Sequence, residues 1–165
     1  MPEKETLEKA EQDAREGKSP STQAGEFVHE EIEHIKEGKH GARSAKQAIA
    51  IGLSKARRAG VKLPPPKASA SEETKRQAER DSAKGQSEPD HKPSRTRSRA
   101  TIKALQREGH QAVSHEALSE QARSSARHRS ATSRKQAAAK AVRTKGKAGL
   151  SSAAKKAART RARKG

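Results

Sequence analysis

The chain has 165 residues, of which 28% are hydrophobic and 35% charged, with a single aromatic, Phe27, and a net charge of +18. It contains no cysteine, which excludes disulfides and thiolate zinc sites. So little apolar surface set against so much charge predicts a mostly disordered chain with short α-helices and one small all-α helical hairpin at about residues 22–60.

Residues 1–21 form an acidic N-terminal segment. Glu, Lys, Ala and Gln favour a helix over residues 2–18, but Leu7 is its only strongly apolar side chain. A frayed, solvated helix is expected, and the charged start lacks the apolar stretch of a signal peptide. The GKSPS run at residues 17–21 breaks it.

Residues 22–63 read as helix, loop, helix. Ser21 or Thr22 caps a helix that runs to about Glu37 and stops at Gly38. Ala24, Phe27, Val28, Ile32 and Ile35 share one arc of it, while Glu26, Glu30, Glu33 and Glu37 form an opposite face, read as solvated or, alternatively, as pairing with cations of the next helix or the tail. The next helix, residues 44–60, has capping-box spacing between Ser44 and Gln47 and a left-handed stop at Gly60. Ala45, Ala48, Ile49, Gly52, Leu53 and Ala56 fall on its apolar arc. The short loop between the helices predicts an antiparallel hairpin, with Gly52 allowing close approach. Ile51 falls off the arc and predicts a partner surface, so the marginal hairpin is expected either to form a homodimer through it or to order only on a partner.

Residues 64–100 read as a Pro/Ser/Lys-rich linker, opened by Pro64, Pro65 and Pro66 and interrupted again by Pro89 and Pro93. A transient helix is expected at residues 72–84 and an extended basic run at residues 94–101. Residues 101–130 read as short helices. Ile102 and Leu105 mark one stopped by Gly109, and the spacing of Val113, Ser114 and Leu118 starts another at His115. Residues 131–165 are a basic Lys/Ala-rich tail in which the unit at 140–145 recurs at 156–161. Its unscreened cations predict a coil that turns helical when phosphates neutralise it.

Charge is steeply graded. Residues 1–40 carry 11 acids against 6 bases, whereas residues 121–165 carry 15 bases and no acid. An acid-free run of this length points to a polyanion, and nucleic acid is the commonest. The candidate contacts are Arg123, Arg127, Arg129, Arg134, Lys135, Lys140, Arg143, Lys145, Lys147, Lys155, Lys156, Arg159, Arg161, Arg163 and Lys164. These cations point in several directions around any helix, and no aromatics are present to stack on bases. That combination favours backbone neutralisation without sequence choice, and DNA over RNA. Lys39, Arg43 and Lys46, beside a helix N-terminus, form a candidate phosphate site.

His29 and His34 flank a Glu-rich stretch but stand five residues apart, where the zinc-helix motif needs four. The histidines at 40, 91, 110, 115 and 128 read as surface residues, so no metal is expected. No phosphate-binding Gly-rich loop and no scaffold for a Ser–His–Asp set is visible, so neither an enzyme nor a cofactor nor a small-molecule substrate is expected. The longest uncharged apolar run, residues 48–53, is far shorter than the roughly 20 residues of a membrane span. A cytoplasmic, nucleoid location without membrane partners follows as the expectation.

Residues 25–63, with GEFVHEEIEHIKEGKHGARSAKQAIAIGLSKARRAG, resemble a family of small uncharacterised bacterial proteins that share an acidic helix, a Lys/Gly/His loop and a KQAIAIGLS-type helix. The chain departs from that family's commonest form at Ala45 and Gly52. The resemblance implies no activity and no catalytic residues. The tail units KAVRTKGKAG and KKAARTRARKG are similar to bacterial proteins with the Lys/Ala-rich tail of linker histone, which implies DNA binding and compaction. The expected function is therefore sequence-nonspecific DNA binding by a histone-like or nucleoid-associated protein. The alternative is an adaptor that uses the hairpin for protein contacts, or RNA or ribosome binding by the tail.

Overall fold

The computed structural model describes residues 2–87 and 94–163. Among the described residues the chain forms seven α-helices, one 3-10 turn and no strand. It divides into two units, residues 1–121 and 122–165. The all-α expectation stands, but the expectation of a mostly disordered, intrinsically disordered chain with one small hairpin is overturned. Composition counts side chains singly. It does not register that Ala and Gly let helices approach closely, nor that mixed charges can pair in the interior.

In the first unit, α1 (Lys4–Arg15), α2 (Pro20–Lys36) and α3 (Ala45–Arg58) are followed by α4 (Glu72–Gln86) and α5 (Arg95–Leu105). Ser44 caps α3, its Oγ accepting from the Gln47 N–H at 3.3 Å. The Gln47 side chain reaches back one residue beyond the cap, accepting from the Arg43 N–H at 2.8 Å.

α2 and α3 run antiparallel. Ile35, late in α2, clusters with Ala48, early in α3, while Phe27 clusters with Ala56 at the other end. Gly52 makes this possible, because a Cβ there would lie 2.7 Å from the Cα of Val28 and 3.0 Å from the carbonyl of Phe27. The two backbones touch, and Phe27 and Ile35 are wholly buried as a result.

Three expectations for this unit are corrected. The first helix is not a solvated rod, because Ala10 and Leu7 pack with Ala24 and Phe27 of α2. Small residues at the contact supplied too little hydrophobicity to mark it in sequence. The linker is not a linker over residues 72–86, since α4 packs along α3 through buried Ala78 and Asp81. Gly85 brings α4 against the end of α3, where a Cβ would collide with the Arg57 carbonyl. The basic run at residues 94–101 is helical from Arg95 rather than extended; Pro89 and Pro93 lie outside the described residues.

Ile51 is half-buried. Ser54 and Arg58, three and seven residues on, both bond Asp81 of α4. Ile51 thus stands on the side of α3 that carries the Ser54 and Arg58 contacts to α4.

A strap after α5 closes the α2–α3 loop. The Gly41 N–H donates to the Leu105 carbonyl at 2.9 Å and the Ala42 N–H to the Gly109 carbonyl at 3.1 Å. The 3-10 turn Gln111–Val113 then inserts Ala112 and Val113 beside Ile35, Ala42 and Ala48. α6 (His115–Arg127) begins where Ser114 accepts from the Ala117 N–H at 3.1 Å, and it continues past the boundary between the units.

The second unit consists of the end of α6 and α7 (Ala131–Ala162). Ser130 caps α7, accepting from the Ser133 N–H at 3.1 Å. Gly146, with φ 63° and ψ 176°, interrupts the helix. None of its residues is buried. The tail was expected to be coil without phosphate, but the structure is helical, as its alanine content favours. No helix of the described residues is long and apolar enough to cross a membrane.

Candidate nucleic-acid interface and a buried charge cluster

The cations proposed from sequence lie mainly in the second unit. Arg123 and Arg127 are on α6 and Arg129 is in the turn that follows; Arg134, Lys135, Lys140, Arg143, Lys145, Lys147, Lys155, Lys156, Arg159 and Arg161 are on α7; Arg163 caps its end. All of them are exposed. Lys164 lies outside the described residues. Residues 122–165 carry 15 Lys and Arg and no Asp or Glu, so no side chain of the unit can neutralise another. At 100° per residue, Arg134, Lys135, Lys140 and Arg143 surround the first half of α7. This gives a cylinder of positive charge rather than a reading face.

Of the candidate phosphate-site residues, Lys39 and Arg43 face carboxylates. Lys39 pairs with Glu3 at 3.1 Å and with Glu37 at 3.0 Å. Arg43 lies 3.6 Å from Glu108, and Lys46 is exposed. The first turn of α3 is already capped by Ser44 and Gln47.

The more organised site was foreseen only in the alternative that Glu30 pairs with a cation of the second hairpin helix. Glu30 and Glu31 on α2 are both buried, and Lys55 of α3 bridges them at 3.0 Å and 2.6 Å. The expectation that Glu30 belongs to a solvated face is thus corrected: α1 covers it, and the backbone N–H of Glu3 donates to its Oε2 at 3.1 Å. Burial pushes the Glu30 carboxyl up, but hydrogen bonds from Thr6, the Glu3 backbone and Lys55 outweigh it and hold it below its ordinary value. Burial likewise pushes Lys55 down, and its two carboxylates more than reverse that, leaving it raised.

Around this pair stand two histidines. His40 Nε2 is 3.2 Å from Glu31 Oε1, and His34 Nε2 is 2.7 Å from Glu3 Oε1. Glu3 is held below its ordinary value, first by the His34 hydrogen bond and then by Lys39. Glu31 itself is 0% exposed, and neither of its oxygens completes a hydrogen bond of good geometry.

A signal for this cluster was present in the sequence. Glu31 falls between Phe27 and Ile35 on the same i, i+4 row, so a carboxylate interrupts the apolar stripe. A buried carboxylate requires a partner, and only the return of α3 reveals Lys55 as that partner.

Residues 19–67 match a family of unknown function (DUF6496). The match covers under a third of the chain and includes α2, α3 and every member of the charge cluster except Glu3. It includes none of the α7 cations. No curated protein and no solved structure gives a significant match to the chain.

Proposed function

We propose that the chain is a sequence-nonspecific DNA-binding protein whose second unit neutralises backbone phosphates, in the manner of histone-like or nucleoid-associated proteins. One observation carries this reading: 15 exposed or terminal cations surround a helical segment with no acid among them. Each phosphate met by a cation releases a condensed counterion, and the gain is independent of base identity. The lack of a single cationic face and of stacking aromatics fits backbone contact and disfavours single-strand platforms.

A gel-shift series across salt, on unrelated duplexes, tests the proposal. With about ten contacts, log affinity falls against log salt with a slope near −9. Similar affinities for all duplexes support it. No binding at low salt, or a slope near zero, overturns it. Tighter binding of structured RNA than of duplex DNA would move the assignment to the RNA alternative.

A further inference from the structure

We propose that Glu31, His34 and His40 form a site for one divalent transition-metal ion of the zinc class. One ligand atom from each of the three lies within 4.8 Å of the others. A tetrahedral zinc site with bonds of roughly 2.0–2.1 Å has ligand separations of about 3.3 Å. The Glu31 Oε1 to His40 Nε2 distance of 3.2 Å already matches that edge. His34, whose ligand atom lies within 4.8 Å of the other two, completes a third ligand by an approach of up to about 1.5 Å, with the fourth position left to water.

The outer nitrogens of both rings carry the argument further. His40 Nδ1 lies 3.2 Å from the Gly41 carbonyl, which can only accept, so that nitrogen bears the proton. In the neutral ring Nε2 is then a lone pair aimed at a carboxylate oxygen. His34 repeats the arrangement. Its Nε2 donates to Glu3, and its Nδ1 faces Glu30 Oε1 at 3.9 Å. In each ring an acceptor fixes the outer N–H and the inner lone pair points toward buried carboxylate, as in metal-bound histidines supported by an outer carboxylate or carbonyl.

Two acceptors do not face each other without a positive charge between them. Lys55 does not fill the gap, because it sits on Oε2 of Glu31 and leaves Oε1 to His40. Among the described residues, the permanent cations paired with Glu3, Glu30, Glu31 and Glu37 are Lys39 and Lys55. One divalent ion balances the remainder. Two imidazolium ions would balance it as well, and the experiment separates these cases.

The full-length chain is titrated with Zn²⁺ alone by calorimetry at neutral pH, and with Co²⁺ to read coordination from its visible absorption. The expected result is one tight equivalent, a four-coordinate Co²⁺ spectrum and a raised melting temperature. His40→Ala and His34→Gln each weaken that equivalent by at least about tenfold, while His29→Ala and His115→Ala leave it unchanged. Helix content is followed by circular dichroism, and Glu31→Gln supplies a second, nearly isosteric variant should an alanine variant unfold. Absence of a tight equivalent, or a loss spread equally over all four histidine variants, overturns the proposal and leaves the cluster as histidinium ion pairs.

Discussion

The two units of this chain are both poor in hydrophobic residues and rich in charge, yet only one builds a core. Residues 1–121 carry 23 Lys and Arg against 20 Asp and Glu, while residues 122–165 carry 15 against none. In the first unit charge is internal cement: Lys55 joins Glu30 and Glu31, and Asp81 joins Ser54, Arg58 and Gln77. In the second every described cation faces water, and helix propensity and the Ser130 cap shape the backbone. Sign balance, together with the large apolar residues that the second unit has only as Val142 and Leu150, separates the unit that packs from the one that stays open.

Substitutions should therefore act on one unit and spare the other. The largest effect belongs to Phe27→Ala, which empties the contact shared by α1, α2 and α3 and costs about 3–5 kcal/mol in chemical denaturation. The salt-dependent DNA affinity proposed for the second unit should not change at temperatures where the first remains folded. Lys55→Met comes next. It strands two buried carboxylates and costs about 3 kcal/mol, with Glu30→Gln in the same chain restoring part of the loss.

Asp81→Asn follows, at about 1–2 kcal/mol, because it weakens three hydrogen bonds at once. The pH dependence has the same origin. Glu30 and Asp81 are both held below their ordinary values of 4.5 and 3.8, so their contribution is present above those values and is lost as acid carries pH through the lower folded values. Lys55 is raised above 10.5, so its contribution persists below that pH and fades only as alkali passes its folded value. The second unit has no side-chain carboxyl, so its helical signal should not share the carboxylate-linked acid transition of the first. The smallest effect is Gly146→Ala. It disfavours the φ of 63° there, favours one continuous α7 and raises helical ellipticity slightly, without moving the main melting transition.

The sequence made some of this legible and hid the rest for definable reasons. The α2–α3 hairpin was visible because Phe27, Ile35, Gly52 and Ala56 keep strict helical spacing and both ends carry caps. The helices α1 and α4 were legible as helices but their packing was not, because their contacts rest on Ala10 and Ala78 and on the buried polar groups Thr6 and Asp81. A small or charged residue on a helix looks solvated until a neighbour covers it. The cations of α7 could be named from sequence because nothing in that segment competes for them. The cluster of Glu31, His34, His40 and Lys55 could not, since its members come from two helices and the loop between them.

The strap of residues 105–113 has a kinetic consequence. α1, α2, α3 and α4 each pack on a sequence neighbour, so their contacts close short loops and form early. The bonds from Gly41 to Leu105 and from Ala42 to Gly109 close a loop of more than 60 residues, so they form last and open first. The amides of Gly41 and Ala42 should exchange with deuterium well before those in the middle of α2. Because a Cβ at Gly41 would collide with the Glu108 carbonyl, Gly41→Ala should leave the four-helix body standing with its latch undone.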